Sequence, residues 1–437
     1  MWRWRNGTPS RVRIDNRSNH ASGVRVTTTP VTTIPDHVPP DLVVDLDMYA
    51  LPGKDDDPQM AWMSFAEADK GPVVWSPYNG GHWVATQSED IISIYKDQAN
   101  WSSYDISAPK HPGPRLIPLE ADPPLHAGYR KSIMPTFAPK ALTTLEPDAR
   151  ALAVAYIESF RSRGSCDFLG EFGLKFPITV YMGLMGMPPE DGPGLNDLLD
   201  SSVKSADLAH TMEVYGEIAA YIGKHVDDRL ANPRDDGLTR ITQGKHVDGQ
   251  AFTHDEARMV AQMVTQGGLD SVAMHLSFIA LHLATHDEHR RYVRDNLDTL
   301  DHVINEYARR YYIPNQMRTV PVDRTFHGVE LKAGDLIAIN PALYNFDEQL
   351  FPEPEEVRFD RPAHVNMTFG AGPHACPGAN LTKLEVRIFL QEWLTRIPDF
   401  SVDPEVPVFK RSGQLHGINQ LSLRWPVPTA DEGASHR

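Results

Sequence analysis

Cysteine is nearly missing from this chain: only Cys166 and Cys376 occur among 437 residues. Two cysteines cannot build a disulfide framework, and a chain of this length does not need one. That points to a reducing cytoplasm. An isolated thiol is then either a buried apolar residue or a reactive or ligating one. Long apolar runs are missing too. No stretch reaches about 18 consecutive apolar residues, so no transmembrane helix is expected. Basic residues are the minority, 42 against 58 acidic, for a net charge of −16. This sign argues against a general binder of nucleic acid or anionic membrane. It leaves room for a local basic patch that docks an acidic partner protein. The Arg- and Ser-rich start of the chain lacks an apolar centre and is not a signal peptide. Residues 1–35 are expected to form a flexible arm, and residues 36–437 a single domain. No internal repeat, low-complexity tract or linker interrupts that domain.

What is present is mostly helical pattern. Residues 80–87 read as a strand entered from the Gly80-Gly81 turn. Residues 127–204 are mostly helical. Residues 255–283 carry the strongest helical period, with Val260, Val264, Gly268, Val272, Leu276, Ile279 and Leu283 at steps of three and four. Thr253 caps this helix, and Glu256 follows as in a capping box. Gly267-Gly268 stands in its middle, where each glycine costs about 1 kcal/mol. Either another group approaches the backbone there or the helix is distorted. A further helix is expected at 300–311, and strands at 318–320 and 336–339. A Pro- and Glu-rich irregular stretch at 351–362 precedes a last amphipathic helix starting at Ala379, with Leu381, Leu384 and Ile388 on one face. The fold is expected to be mainly α with a minor β region.

The most informative segment is Phe369-Gly370-Ala371-Gly372-Pro373-His374-Ala375-Cys376-Pro377-Gly378. Its glycines let backbone approach a flat ligand. A thiolate at Cys376 would be aided by backbone N–H groups and the positive end of the helix that follows. The segment resembles the Phe-Gly-x-Gly-x-His-x-Cys-x-Gly pattern of the cytochrome P450 monooxygenases. The resemblance implies the single-domain fold of that family, with a long central helix over haem b and Cys376 as the axial iron ligand. Phe369, Gly370 and Gly378 would frame the haem, and His126, Arg130, Arg318 and His374 would hold its propionates. Glu306 and Arg309 match the family's Glu-x-x-Arg, a buried structural pair whose third partner is expected to be Arg358. Asp270 and Ser271 resemble the acid–alcohol pair that relays protons to bound dioxygen. Ser271 stands where most relatives have threonine. Lys204 is expected to pair with Asp270.

Three further stretches are similar to the camphor-hydroxylating bacterial subfamily: Asp36 to Val43, Asn79 to Trp83 and Glu392 to Phe400. That likeness implies electrons from a 2Fe–2S ferredoxin and its flavin-dependent reductase, with Arg130 and Lys383 on the docking face. Ala127 stands where the camphor enzyme has an arginine. The substrate pocket would be formed by Pro114, Met263, Gln266, Gly267, Pro314 and Gln316. The camphor enzyme's pocket tyrosine falls at Pro114, which removes an orienting hydrogen bond worth about 1 kcal/mol. A terpenoid or norisoprenoid ketone such as an ionone is therefore expected in place of camphor, with Gln266 as a donor to its carbonyl. Two alternatives stay open: a peroxide-using haem-thiolate enzyme, and a non-catalytic haem sensor or terpenoid-binding protein.

Overall fold

The strongest apolar period in the sequence becomes the axis of the fold, but not as one helix. A computed structural model describes residues 30–63, 71–110, 115–204 and 208–427. Of the expected arm, residues 1–29 lie outside them. Seven helices position the site. They are α1 (Ser88–Lys96), α2 (Leu125–Ile133), α3 (Lys175–Met185), α4 (His254–Leu269), α5 (Ser271–Thr285), α6 (Asp301–Arg310) and α7 (Ala379–Arg396). The expectation for residues 255–283 is thus met by two helices, α4 and α5, separated at Asp270 (φ −106°, ψ −42°). The expected capping box starts α4. Thr253 Oγ1 accepts from the Glu256 N–H at 3.2 Å, and Glu256 Oε2 accepts from the Thr253 N–H at 2.8 Å.

The two central glycines do different things. A Cβ on Gly268 would lie 2.6 Å from the Tyr181 ring of α3, so this glycine permits a close helix crossing. A Cβ on Gly267 would meet nothing within 4 Å. Gly268→Ala is therefore expected to cost about 1–3 kcal/mol by overpacking. Gly267→Ala is expected to leave stability unchanged or raise it, because alanine is the better helix former. Urea unfolding of the two variants checks this, and equal losses would contradict it.

The minor β region is a four-stranded sheet. Its strands are β1 (Val73–Ser76), β2 (His82–Ala85), β3 (Met317–Thr319) and β4 (Leu336–Ala338), in the order β1-β2-β4-β3. β1 and β2 form a hairpin with Trp75 opposite Trp83. Its turn needs glycine: Gly80 and Gly81 have φ of +88° and +81°, and a Cβ on Gly81 would lie 2.7 Å from the Trp75 indole. β4 joins β2 in parallel and β3 antiparallel, which sets Arg318 opposite Ile337. One apolar core lies among the helices and another lies around the sheet, holding Trp62, Trp83 and Tyr95. Among the described residues, His254–Thr285 is long and apolar enough to cross a membrane by composition alone, and 71% of its most apolar window is buried in the fold. Its apolar surface is used as core.

Candidate functional site

Cys376 sits one turn before α7 with its thiol facing an interior cavity. The loop that carries it needs its glycines. Gly370 and Gly372 have φ of +64° and +69°. A Cβ on Gly372 would also lie 2.7 Å from the Tyr95 carbonyl oxygen of α1. The Cys376 N–H donates to the Phe369 carbonyl at 2.8 Å, which closes the loop. Burial pushes the thiol above its usual range, while the N–H groups of Gly378 and Ala379 and the charge of Arg130 pull it down. The side chain is accessible, but to the cavity rather than the outer surface. Such a thiol becomes an anion when a metal cation takes up the charge. Cys166 is the opposite case. It is 4% exposed, pairs with Leu423 in a strand, and burial raises its thiol strongly. It is the inert cysteine.

The cavity has a volume of about 240 Å³ and opens to solvent at its mouth. Cys376, Phe369, Gly378 and Leu381, from the Cys loop and the start of α7, line it, and so do Met263, Gly267 and Ser271 from the central helices. Helical spacing explains the latter set. Met263, Gly267 and Ser271 recur at four-residue steps on one face. Pro314 and Gln316 close the side.

One edge of the cavity is cationic. His126 of α2 stacks on His374 with ring centroids 3.8 Å apart. Arg130, one turn beyond His126, donates to the Ala375 carbonyl at 2.7 Å. Arg318 on β3 is 3% exposed. Burial, then Arg130, holds His126 down to about 4. Burial, His126, Arg318 and Arg130 hold His374 down to about 2. Both imidazoles are therefore neutral at pH 7. His374 Nε2 is buried with no hydrogen-bond partner among the described residues. The Arg130 guanidinium and a partnerless imidazole nitrogen at the cavity, with Arg318 behind them and outside the lining, fit a ligand that presents carboxylates there and a metal centre near Cys376.

Two expectations need correction. Gln266 is not among the residues lining the cavity. It stands about 100° around the helix from Gly267, away from the cavity face. Arg358 is not the third side-chain partner of Glu306 and Arg309. Glu306 binds Arg309 at 2.8 Å, and its remaining side-chain contact from that stretch is Arg361 Nε at 3.1 Å. Arg358 gives Glu306 only its backbone N–H, at 2.9 Å, while its exposed guanidinium pairs with Glu353 and Asp360. Asp270 is met by Arg411 at 2.5 Å, from an element the sequence reading did not connect with it. The side chain of Lys204, the partner expected for Asp270, lies outside the described residues, as does Pro114.

Sequence reasoning also missed residues that face this site. Glu385 on α7 lines the cavity, is 1% exposed, and neither oxygen has a protein partner among the described residues. Burial raises it well above the usual carboxylate range. A signal existed: Gly378, Leu381, Thr382 and Glu385 share one helical face. His275, one turn past Ser271, also lines the cavity, with Nδ1 3.0 Å from the Tyr311 carbonyl oxygen.

A mainly helical fold here brings one thiol and a cationic cluster to a single cavity, an arrangement suited to an enzyme that holds an anionic, metal-bearing cofactor. Residues 205–414 match the family model described as Cytochrome P450. A probable cytochrome P450 127A1 of Sinorhizobium fredii is 30% identical over 92% of this chain and 98% of its own length. A steroid C26-monooxygenase of Mycolicibacterium smegmatis is 28% identical over 74% of this chain and 82% of its own. The crystal structure of CYP101C1 superposes with a TM-score of 0.83 at 34% identity, covering 90% of this chain and all of that one. CYP101J2 gives 0.82 at 33%, covering 91% and 100%. The chain belongs to the cytochrome P450 family. It is a monooxygenase whose cofactor is haem b and which uses dioxygen and a redox partner.

Proposed function

We propose that Cys376 would hold the haem iron through its thiolate and that the enzyme hydroxylates a small apolar terpenoid or norisoprenoid ketone, ionone-like rather than camphor. The observation that carries this reading is the placement of the Cys376 thiol in one cavity with Ser271, Met263 and Gly267 of the central helices. Haem, when bound, supplies the binding and reductive activation of dioxygen, and thiolate ligation favours O–O cleavage. Arg130, Arg318, His126 and His374 hold the propionates, while Phe369, Gly370 and Gly378 frame the ring. Ser271 presents its hydroxyl on the distal wall, anchored to the Gly267 carbonyl at 3.2 Å. Asp270 stands next to it as the acid that resupplies protons. A buried Glu306–Arg309–Arg361 cluster fixes the stretch that leads into the Cys loop.

Met263, Gly267 and Pro314 make the substrate space mostly apolar. Gln316, rather than Gln266, offers an amide to a ketone. Electrons come from a 2Fe–2S ferredoxin reduced by a flavin-dependent reductase. Lys383 is the exposed cation for that docking, because Arg130 is engaged with Ala375. The described residues form the haem-thiolate domain, with Val31 already tied to it by a bond to the Pro77 carbonyl at 2.8 Å, and the protein works in the cytoplasm. Retention of both Asp270 and Ser271 favours dioxygen over peroxide as oxidant.

Binding spectra test the substrate. β-Ionone is expected to move the ferric haem toward high spin at lower concentration than camphor, by about tenfold, the worth of one hydrogen bond. Tight, fully high-spin camphor binding would contradict this reading.

A further inference from the structure

The carboxylate at the helix break is held by a cation from the far end of the chain. Asp270 Oδ2 accepts from Arg411 Nη2 at 2.5 Å, with side-chain exposures of 21% and 12%. Arg411 ends β5 (Phe409–Arg411), which pairs with β6 (Gly417–Gln420) in a C-terminal hairpin. The guanidinium reaches Asp270 through a slot shaped for it. Gly417 stands opposite Arg411 in the hairpin register. A Cβ on Gly417 would lie 2.5 Å from Arg411 Nε and 2.7 Å from Met274 Sδ. Met274 is one turn past Asp270 on the same helical face. The Ile418 N–H donates to Met274 Sδ at 3.3 Å, which pins the hairpin to that turn. Glycine on one side and a thioether on the other thus leave a passage that a guanidinium fills.

We propose that Arg411 is the positioning residue of the distal proton relay. It fixes the rotamer of the Asp270 carboxylate beside the helix break, and so ties proton delivery toward Ser271 to the seating of the C-terminal hairpin. This rests on the reading of Asp270 and Ser271 as the relay. The charge–charge hydrogen bond is strong and directional, and so favours one orientation of Asp270. The same bond must yield, or share the carboxylate, each time Asp270 passes a proton inward. Gly417 belongs to the device because any side chain there evicts the guanidinium.

The test uses the haem-loaded protein and the variants R411Q, R411K, G417A and D270N. The first readout is the infrared carboxylate band of Asp270 in the ferric protein, identified by its disappearance in D270N. The second is the partition of reducing equivalents between product and peroxide, with β-ionone or camphor, whichever binds. R411Q and G417A are expected to shift the band and to lower product yield about tenfold, less than the roughly 10²–10⁴-fold of a proton-transfer group itself, because Arg411 acts only through Asp270. R411K is expected to restore at least half of the yield. If R411Q fails to take up haem, G417A and R411K decide the matter alone. Wild-type band and yield in G417A and R411K, alongside an impaired D270N, would overturn the role of Arg411 and leave the relay standing. Wild-type yield in D270N would overturn the relay itself, and this proposal with it.

Discussion

Cys376→Ala is expected to abolish the long-wavelength carbon monoxide band of the reduced protein and reduce turnover to background, with the fold intact. The thiol faces the cavity, so its removal takes no atoms from the apolar core. The backbone bond from Cys376 to Phe369, which closes the loop, does not involve the side chain. On the proposed assignment only the ligand would be lost, and with it the electron density that a thiolate donates to iron. Cys166 is the control. Cys166→Ser is expected to keep the band but lose about 1–3 kcal/mol, because a hydroxyl is buried where a thiol was tolerated. Persistence of the band in Cys376→Ala would remove the basis of the proximal assignment. Its loss in Cys166→Ser would do the same.

The second large effect concerns the cluster behind the Cys loop. Glu306→Ala is expected to cost about 3–5 kcal/mol, the usual result of leaving buried charge without its partner. The carboxylate binds Arg309, whose side chain is fully buried, and Arg361, whose side chain is 6% exposed. Arg309 also donates to the carbonyls of Asn345, Pro354 and Glu356. It therefore stitches α6 to the irregular stretch that precedes the cysteine. Loss of Glu306 leaves two guanidiniums without their anion, and haem retention is expected to fall along with the urea midpoint. Arg361→Ala is expected to be damaging by the same measurements. Arg358→Ala is expected to leave both unchanged, because its side chain only joins exposed ion pairs. A series in which Arg358→Ala hurts as much as Arg361→Ala would refute this assignment.

The contrast between Arg358 and Arg361 shows why the sequence was readable only in part. Both lie in one irregular stretch, beside the same aspartate, and no periodicity separates them. Burial separates them, and burial in an irregular segment is decided by packing against α6. Gln266 shows the limit from the other side. Helical period was available there, and applied strictly it excludes Gln266 from the face shared by Met263 and Gly267. Glu385 was legible in the same way, as a carboxyl on a stripe with Leu381.

The sequence by itself determined the local chemistry. Glycines at 370 and 372, the cysteine before a helix, the Glu306–Arg309 spacing and the His126–Arg130 spacing are short-range patterns, fixed by backbone sterics and the helical repeat. Periodicity likewise placed the capping box and the strands that carry Trp83 and Arg318. Tertiary structure alone decided what these patterns face. It broke the central helix at Asp270, packed Gly268 on Tyr181 and left Gly267 to the cavity. It also brought Arg411 across 141 residues to the acid. Such contacts depend on the summed packing of elements distant in sequence, and no local pattern records which cation reaches which carboxylate.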